Sequence, residues 1–327
     1  MADNKIALIT GAAGFIGSHT VHEFVRNGWF VYAVVHRKKS AALCELQEQG
    51  RINILQADLS DLDDVARLFG NLPTSPDAVV HCAGRASDTG WASEFRKANF
   101  DSVKNLTAFV KQYDIEKFVF VSTTDVYGIR DFNGETEEQL NYDPHPRNNY
   151  PKFKILAEKW IKSSLPPRQW CILRPAAAWG PDDPTFTKRL HDFFAWSPFI
   201  VHFGKWKGQN RWPAVHVDTV AGANFLAAVN PRAAGEAINV IDAKRVTADE
   251  FYRMIIRTYF PDKTFRPLNL PYWAGWCFAA PVSIISHILN QRNPFADPSL
   301  YALKSVSSNL DFSGEKMRQL FELSSLK

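Results

Sequence analysis

Two side chains four residues apart, Tyr150 and Lys154, could together move a proton. Pro151 suits the first turn of a helix, so the sequence predicts that Tyr150 lies at a helix start. Residues at i and i+4 share one face of a helix. There an ammonium would stabilise the phenolate and lower the phenol pKa from its usual value of about 10. The pair is therefore expected to exchange a proton with a substrate oxygen. An exposed tyrosine beside an unrelated lysine is the alternative.

Hydroxyl side chains follow one another at Ser122, Thr123 and Thr124, where an apolar run ends, and Asp125 comes next. If residues 118–122 form a strand of a parallel sheet, these hydroxyls lie at its carboxyl end, where such sheets bind ligands. One of them could hydrogen-bond the same substrate oxygen as Tyr150. A Ser/Thr-rich turn without a chemical role is the alternative.

Three glycines follow the apolar run 6–9 at the spacing G-x-x-G-x-x-G. Gly11 permits a tight turn out of a strand, and Gly14 lets the backbone approach a pyrophosphate. Gly17 lets the helix pack closely on the strand, so that N–H groups at the helix N-terminus face the phosphates. The stretch therefore predicts a dinucleotide site, and the residues assigned to it are Gly11, Ala13, Gly14, Phe15, Ile16 and Gly17.

No carboxylate follows the second apolar run, 31–35, where His36, Arg37 and Lys38 stand. An NAD-selective domain usually places Asp or Glu there to bind the ribose hydroxyls. Arg37 or Lys38 could instead pair with a 2′-phosphate. We therefore expect NADP(H), with NAD(H) and a merely solvated basic turn as the alternatives.

These candidate groups need a scaffold, and the first half of the chain predicts one by alternating short apolar runs with longer helical patterns. The predicted strands beyond the first are 31–35, 52–56, 78–82, 118–122 and 170–173, and the predicted helices include 94–113 and 150–163. This alternation is typical of βαβ units. The expected fold class is α/β, a Rossmann-type doubly wound parallel sheet.

The alternation loosens after Pro175, where prolines and aromatic residues cluster. We expect an NADP(H)-binding domain at 1–175, to which about 213–240 returns through a helix at 218–229. Residues 176–212 and 241–327 are expected to form a smaller, mostly helical C-terminal substrate lobe.

Length and composition limit the classes of function. The chain has 327 residues, 46% of them hydrophobic, and a net charge of only +4, as in soluble globular proteins. No long Lys/Arg run exists beyond 36–39, so no nucleic-acid partner is expected. The four cysteines are scattered, which argues against a zinc site and a disulfide framework, and no metal is expected. Because residues 1–5 lead directly into the first strand, we expect no signal peptide and a cytoplasmic location.

The segment 270–290 is rich in apolar and aromatic residues but contains Pro281, Ser283 and His287. It is at the short end of the lengths that span a bilayer. A buried or pocket-covering helix is one interpretation. The other is a helix that lies on a membrane surface and makes peripheral contact with it.

Taken together, the motifs resemble the extended short-chain dehydrogenase/reductase family, within the NAD-dependent epimerase/dehydratase superfamily. The matching motifs are Thr10-Gly11-x-x-Gly14-x-x-Gly17, Asp58-Leu59, His81-x-Ala83-Gly84, Asn99, Ser122-Thr123-x-x-Val126-Tyr127-Gly128, Tyr150-x-x-x-Lys154, Arg174-Pro175 and Val215-His216-Val217-Asp218. They occur in the family's order and spacing. The resemblance implies an NAD(P)-dependent enzyme that passes a hydride between the nicotinamide ring and a carbinol or carbonyl carbon.

The resemblance also implies catalytic roles. Tyr150 is the expected acid/base, and Lys154 is expected to lower its pKa and to bind the nicotinamide ribose. Thr123 stands at the family's catalytic Ser/Thr position, counted back from the Val-Tyr-Gly motif, with Ser122 and Thr124 as fallbacks.

Further cofactor contacts are expected at the ends of other strands. Asp58, after the third strand, could accept a hydrogen bond from an adenine amino group or cap a helix. The small residues after His81 would let the cofactor pass closely. The remaining cofactor-binding candidates are Leu59, Cys82, Ala83, Gly84, Asn99, Ser122 and Pro175.

Two branches of the family compete for the substrate. Sugar-nucleotide epimerases, dehydratases and reductases bind a pyrophosphate with arginines, and Arg211 lies where they keep one. The second branch is similar to 3β-hydroxysteroid dehydrogenases and sterol-4-carboxylate 3-dehydrogenases, and it matches better at 179–184, at Gly90-Trp91 and in the apolar segment. We therefore expect an apolar hydroxy/keto substrate, sterol-like or long-chain. The expected substrate contacts are Trp91, Thr124, Asp125, Ala177 and Arg211.

Aromatic side chains after Pro175 could line an apolar pocket or simply fill a core, and they are Phe193, Phe194, Trp196, Phe199, Trp206, Trp212, Trp273 and Trp276. A non-catalytic NADP(H)-binding sensor or scaffold is the alternative from another class, and it would be expected to lack the Tyr150–Lys154 pair. By analogy with the family, a homodimer is expected through the helices that contain Asn99 and Tyr150.

Overall fold

The computed structural model describes residues 5–37, 40–87, 90–289 and 299–322, and the side chains of all of these except 286–289. Fifteen strands lie in this part of the chain: β1 (Ile6–Thr10), β2 (Phe30–Val35), β3 (Ile52–Gln56), β4 (Ala78–His81), β5 (Lys117–Val121), β6 (Phe132–Glu135), β7 (Trp170–Pro175), β8 (Ala177–Trp179), β9 (Phe199–Phe203), β10 (Arg211–Trp212), β11 (Ala214–His216), β12 (Ala237–Val240), β13 (Val246–Thr247), β14 (Arg266–Leu270) and β15 (Leu310–Phe312).

Twelve α-helices lie in the same described ranges: α1 (Phe15–Arg26), α2 (Ala41–Glu48), α3 (Leu62–Gly70), α4 (Ala92–Arg96), α5 (Ser102–Gln112), α6 (Asn149–Ser164), α7 (Phe186–Trp196), α8 (Val217–Val229), α9 (Ala248–Tyr259), α10 (Tyr272–Leu289), α11 (Leu300–Ser307) and α12 (Glu315–Phe321). A π-helical turn, Lys97–Asp101, joins α4 to α5. Short 3-10 turns occupy Thr124–Tyr127, Pro167–Gln169 and Pro231–Ala233.

Seven parallel strands form the central sheet, in the order β3-β2-β1-β4-β5-β7-β12. The order reverses between β1 and β4, and doubly wound sheets bind dinucleotides at such a point. β5 is buried at every residue, as expected for a strand with helices on both faces of the sheet. The predicted α/β fold of the Rossmann type is confirmed.

The sequence predicted the sheet strands to within one or two residues. The predicted strand 52–56 coincides with β3, while β2, β4 and β5 differ from their predicted bounds by one residue. β7 extends two residues beyond the predicted 170–173. The apolar runs carry a clear signal because a strand covered on both faces presents no polar side to water.

Helices cover both faces of the sheet. On one face, α1 and α8 pack against each other, and Phe24 and Val220 lie in the core between them and the strands. On the other face, α3, α5 and α6 contribute Leu68, Leu106 and Ile161 to a second core cluster. The two layers hold the carboxyl ends of the parallel strands in one row, where the candidate functional residues lie.

A third core forms in the chain after β7. Phe194 of α7, Trp212 of β10 and Phe251 of α9 pack together there. The sequence predicted that residues 176–212 and 241–327 form a mostly helical lobe. The structure adds two short parallel sheets, in which β14 pairs with β9 and β15 pairs with β6. In each sheet a strand near the end of the chain hydrogen-bonds to the backbone of an earlier strand.

The described end of the chain packs on the central sheet. Leu310, Phe312, Met317 and Phe321 belong to the core cluster that contains β1 and β7, and α12 contacts β12 and α8. The predicted domain boundaries stay a prediction. The segment assigned to the substrate lobe, 241–327, divides between the two cores because its last helix presents apolar side chains to the sheet.

Candidate active site

The loop after β1 has the tight geometry that its glycines predict. Gly11 has a φ of +66°, which glycine adopts without strain, and the Gly14 N–H donates to the Gly11 carbonyl at 2.8 Å. A Cβ added to Gly17 would lie 2.1 Å from the Gly11 carbonyl oxygen. Helix α1 therefore begins directly on the turn. Among the described residues no side chain caps its N-terminus, so its first N–H groups suit a pyrophosphate.

The end of β4 lies side by side with this loop. Thr10 Oγ1 lies 2.7 Å from His81 Nδ1 and accepts the Ala83 N–H at 3.2 Å. A Cβ on Gly11 would lie 2.7 Å from the Ala83 nitrogen. Burial, together with the charge of Lys154, lowers the pKa of His81 to about 3, so the ring is neutral at neutral pH. The two loops predicted to hold the cofactor are thus in backbone contact.

Gly84, Asn99 and Lys154 meet at one point. A Cβ on Gly84 would lie 2.7 Å from Asn99 Oδ1 and 3.3 Å from Lys154 Nζ. Asn99 is fully buried in the π-helical turn, a feature frequent at functional sites. Its Oδ1 accepts the Arg85 N–H and its Nδ2 donates to the Arg85 carbonyl, each at 3.1 Å. Gly84, Asn99 and Lys154, which were predicted from three separate motifs, therefore lie in contact with one another.

Lys154 is held by the end of β5. Its Nζ donates to the Val121 carbonyl at 2.7 Å and lies 5.9 Å from the centroid of the Tyr150 ring. Burial lowers the pKa of Lys154 to about 8, although the neighbouring Cys82 and Glu158 oppose this effect. The side chain is therefore an ammonium below about pH 8.

Tyr150 lies beside Thr123 and Asp125. Burial and the carboxylate of Asp125 raise the pKa of Tyr150, and the hydrogen bond to Thr123 lowers it only in part. The expectation that Lys154 lowers this pKa is wrong for the arrangement seen here. The reason is that the ammonium is bound to Val121, whereas the half-buried phenol is next to a carboxylate. The phenol is therefore protonated at neutral pH and can donate a proton.

Of the three predicted hydroxyls, Thr123 is the one that lowers the pKa of Tyr150 and so lies near the phenol. Its Oγ1 also accepts the Asp125 N–H at 3.1 Å and so caps the 3-10 turn. Ser122 is engaged elsewhere, because its Oγ donates to Glu158 Oε1 at 2.5 Å. Thr124 is buried within the 3-10 turn. The geometry favours Thr123 as the hydroxyl that meets the substrate.

The predicted adenine side lies at the carboxyl ends of β2 and β3. His36 Nε2 lies 3.7 Å from Asp58 Oδ2, and both side chains are about half exposed. Burial would raise the pKa of Asp58, but hydrogen bonds from the Ser60 hydroxyl and N–H, and the nearby His36, hold it below its usual range. Asp61, not Asp58, caps α3. Asp58 is thus held at the strand ends, where an adenine would lie.

The other predicted cofactor residues have varied surroundings. Arg37 is exposed at the end of β2, and Lys38 lies outside the described residues. Leu59 and Pro175 are buried. Burial raises the pKa of the Cys82 thiol to about 12, so this cysteine is not a thiolate nucleophile at neutral pH.

A cavity of about 1000 Å³ adjoins the Tyr150–Thr123 pair, since Asp125 and Pro151 line it. Its walls come from α4, from the segment that follows β5, from the start of α6, and from α10 and α11. Apolar and aromatic side chains on these walls include Phe95, Ile129, Tyr272, Trp276 and Leu300. The cavity is large enough for a ligand of drug or steroid size.

Charged side chains also line this cavity. Three are cations, Arg130, Arg147 and Lys304, and within the described part of the chain none of them forms an ion pair. Two are carboxylates, Asp125 and Asp143. Because the cations outnumber the carboxylates, the cavity suits a ligand with an anionic group.

Only some of the predicted substrate residues lie at this cavity. Asp125 lines the cavity and accepts a hydrogen bond from the Tyr301 hydroxyl at 2.8 Å. Trp91 is exposed next to Gly90, which lines the cavity. Ala177 packs against the lobe core instead. Arg211 is exposed, its guanidinium donates to the Arg245 carbonyl at 3.4 Å, and it is not among the cavity-lining residues described.

The aromatic residues after Pro175 divide in the same way. Trp276 lines the cavity, whereas Phe194 and Trp212 fill the lobe core. Trp196 and Trp273 are exposed. The buried aromatic residues of this set therefore mostly fill the lobe core, and fewer of the set line the cavity.

Sequence reasoning missed several cavity residues. Arg130 and Arg147 lie close in sequence to predicted motifs, and this proximity was the available signal. Tyr301 gave no such signal, because 176 residues separate it from Asp125, its hydrogen-bond partner. Only tertiary packing brings the two together, since α11 is held against α10 and β9.

The chain is similar in sequence to several known enzymes. A sterol-4-alpha-carboxylate 3-dehydrogenase, decarboxylating, from Mus musculus is 24% identical, over 97% of this chain and 86% of its own length. A dTDP-4-dehydro-6-deoxy-D-allose reductase from Streptomyces sp is 28% identical over 55% of this chain, and the match spans only 57% of that protein.

A solved structure resembles the whole fold. It is a UDP-glucuronic acid 4-epimerase from Bacillus cereus, in complex with UDP-glucuronic acid and NAD, with a TM-score of 0.70 and 21% identity over 98% of this chain and 94% of its own. The model of the family described as "NAD dependent epimerase/dehydratase family" matches residues 7–240, which is most of the chain. The protein is an NAD(P)-dependent enzyme of the short-chain dehydrogenase/reductase type, and the chain belongs to the NAD dependent epimerase/dehydratase family.

Proposed function

We propose that this protein is an NADP(H)-dependent oxidoreductase that acts on a hydroxyl or carbonyl carbon of a substrate with an apolar body and an anionic group. The observation that carries the proposal is the meeting of Tyr150, Thr123 and Lys154 beside a large cavity of mixed aromatic and cationic lining. The glycine loop and the uncapped start of α1 fit the pyrophosphate of a dinucleotide. When bound, the nicotinamide would supply or accept the hydride.

The side chains divide the proton chemistry between them. In reduction, Tyr150 donates a proton to the substrate oxygen, which its raised pKa permits at neutral pH. Thr123, which lies near the phenol, hydrogen-bonds the same substrate oxygen. Lys154, an ammonium below about pH 8, would donate to the hydroxyls of the nicotinamide ribose and so hold the ring beside Tyr150. In oxidation each of these transfers runs in reverse.

NADPH is expected to bind more tightly than NADH by ~1–2 kcal/mol, the scale of one or two charge-assisted hydrogen bonds to a 2′-phosphate. Arg37 is exposed at the end of β2, where it would pair with a 2′-phosphate, so Arg37→Ala should reduce the preference for NADPH. Fluorescence titration of both nucleotides measures the two dissociation constants. Arg67→Ala, an exposed arginine of α3, is the matched control. Equal affinity of the wild type for NADH and NADPH would reject the NADP(H) proposal.

The substrate class follows from the cavity lining and from the relatives. Trp276, Tyr272 and Leu300 offer apolar surface, whose burial contributes about 25 cal/mol per Å². Arg130 and Arg147 offer charge to an anion. The name of the mouse relative describes a substrate of this kind, a sterol with a carboxylate next to the carbon that is oxidised. A long-chain or polycyclic hydroxy acid fits both features.

A long-chain hydroxy acid, 2-hexyl-3-hydroxydecanoate, serves as the probe because it combines an apolar body with a carboxylate. Arg147→Gln is expected to raise KM for this compound about tenfold, the scale of one hydrogen bond to a charged group that water partly screens. KM for the methyl ester of this compound should not change, because the ester has no charge for Arg147 to bind. NADP⁺ reduction measures both. Arg257→Gln, an exposed arginine on α9, is the control. If Arg147→Gln changed KM equally for the acid and the ester, the proposal that the substrate carries an anionic group would be refuted.

A nucleotide sugar is the second candidate substrate, because its diphosphate could bind the same cations. The name of one relative, dTDP-4-dehydro-6-deoxy-D-allose reductase, describes an enzyme that acts on such a compound. A thermal-shift screen with NADPH present separates the candidates. Stabilisation by UDP-glucose or dTDP-glucose, with none by the hydroxy acid, would reverse the choice.

Helix α10 supports a further proposal, contact with a lipid surface. Trp273 and Phe278 are each 69% exposed, while Trp276 on the same helix lines the cavity. A lipid-soluble substrate could thus enter from a membrane. None of the described helices is long and apolar enough to cross a bilayer.

Co-sedimentation with phosphatidylcholine/phosphatidylglycerol vesicles tests the lipid contact. Trp273→Ser/Phe278→Ser should lower vesicle binding at least about fivefold, because two apolar side chains leave the interface. Trp196→Ser removes a tryptophan that is 76% exposed on α7 and should have no effect. Wild-type protein that stays in the supernatant would rule out the contact.

A further inference from the structure

A buried ion pair lies behind the face of α6 that carries Tyr150. Glu158 follows Lys154 by four residues, as Lys154 follows Tyr150, so the three side chains share one helix face. Glu158 is fully buried, and Arg174 of β7 binds it. The Arg174 Nη2 lies 2.5 Å from Oε2 of Glu158, and its Nε lies 3.1 Å from Oε1. The pair therefore joins α6 directly to the central sheet.

The pair also reaches the opposite side of the site. Ser122 Oγ donates to Glu158 Oε1 at 2.5 Å, and Ser122 immediately precedes Thr123. Arg174 Nη1 donates to the Tyr127 hydroxyl oxygen at 2.7 Å, in the 3-10 turn that Thr123 caps. Both segments that flank Thr123 are thus bound to one ion pair, which is itself anchored on the helix of Tyr150.

Glu158 further determines the charge near Lys154. The titratable groups that face Lys154 are His81 and Cys82 at the end of β4, and Tyr150 and Glu158 on α6. Burial keeps the first three of these neutral at pH 7. Burial would also raise the pKa of Glu158, but Arg174, Ser122 and Tyr142 hold it below its usual range. Glu158 is therefore the charged member of this set.

We propose that the Glu158–Arg174 pair is a positioning device for the reaction. It fixes the Tyr150 face of α6 against the ends of β5 and β7, so that Tyr150 lies beside Thr123, and it places a carboxylate one helical turn from Lys154. The inference rests on the roles proposed for Tyr150 and Lys154. Apolar residues of similar volume often replace a buried ion pair without loss of stability, so stability alone is a weak reason for this pair.

The test uses the double variant Glu158→Gln/Arg174→Gln, in which no buried charge is left without a partner. Glu158→Gln alone strands the buried Arg174 and is at risk of unfolding. For NADPH-dependent reduction of methyl 2-hexyl-3-oxodecanoate, kcat of the double variant should fall about 30- to 100-fold, the scale for misplacing a reacting group by up to ~1 Å. KM should change less than about threefold, because neither residue lines the cavity.

The pH profile separates positioning from a merely structural role. Reduction needs Lys154 as an ammonium, so the wild-type rate should decline as the pH rises through about 8. Glu158 raises the pKa of Lys154, so in the double variant we expect the decline to begin at a lower pH than in the wild type. Glu158→Asp keeps the charge but shortens the side chain, so it should restore the wild-type decline while kcat stays reduced.

Glu236→Gln is the matched control, because it breaks an ion pair with Lys316, 2.6 Å apart, on the partly exposed side of the same region. Its kcat and pH profile should equal those of the wild type. A folded double variant with wild-type kcat and an unshifted decline would overturn the proposal. If the wild type reduces no probe, the proposed function fails by itself. In that case the pH dependence of the NADPH dissociation constant still decides whether Glu158 maintains the charge of Lys154.

Discussion

Replacing Tyr150 by phenylalanine is expected to lower kcat at least ~100-fold, the usual scale for loss of a positioned acid/base. The phenol is the group that can donate a proton to the substrate oxygen, and it is protonated at neutral pH because burial and Asp125 raise its pKa. NADPH should still bind, since Lys154 stays on the Val121 carbonyl. Steady-state kinetics and a fluorescence titration measure the two quantities on the same protein.

The matched control for this substitution is Tyr113→Phe, which removes a hydroxyl from a tyrosine that is 41% exposed at the end of α5. It should leave kcat unchanged. A Tyr150→Phe protein with turnover near that of the wild type would contradict the acid/base role. A protein that also loses NADPH binding would show instead that the phenol supports the cofactor site.

Gly17→Ala is expected to weaken NADPH binding at least ~100-fold, because α1 must move off the turn that holds the pyrophosphate. The added Cβ would lie 2.1 Å from the Gly11 carbonyl oxygen and 2.7 Å from the Gly11 carbonyl carbon, and both are backbone atoms that cannot rotate away. Overpacking of this kind lowers the free energy of unfolding by ~1–3 kcal/mol. Thermal denaturation and NADPH titration measure the two effects.

Gly222→Ala provides the comparison for Gly17. Gly222 lies in α8, which packs against α1, but among the described residues nothing lies within 4 Å of the position its Cβ would take. Alanine at this helix position should therefore stabilise the protein by roughly 0.5–1 kcal/mol and leave NADPH affinity unchanged. Wild-type NADPH affinity in Gly17→Ala would show that α1 can shift without cost to the phosphate site.

Local geometry explains why part of this protein could be predicted. The apolar runs of the central sheet gave their strands to within one or two residues, because burial on both faces leaves a continuous apolar sequence. Gly11, Gly14 and Gly17 predicted the turn between β1 and α1, because the tight turn and the close packing there exclude a Cβ. Tyr150 and Lys154 share a face because i and i+4 positions of any α-helix do.

Contacts between segments far apart in the chain explain why the rest of the site could not be predicted from the sequence. The choice of Thr123 over Ser122 depends on Glu158, which takes the Ser122 hydroxyl. The placement of Arg211 away from the described cavity lining depends on the pairing of β10 with β13. None of these arrangements has a spacing or a periodicity in the sequence that would reveal it.

The sequence by itself therefore determined the Rossmann-type sheet, the dinucleotide loop and the pairing of a phenol with an ammonium, since each follows from the geometry of one strand, turn or helix. Only the tertiary structure decided the direction of the Tyr150 pKa shift, the Glu158–Arg174 pair and the cations of the cavity. The physical reason is that desolvation and Coulomb interactions depend on distances between segments far apart in the chain. Those distances are set by packing.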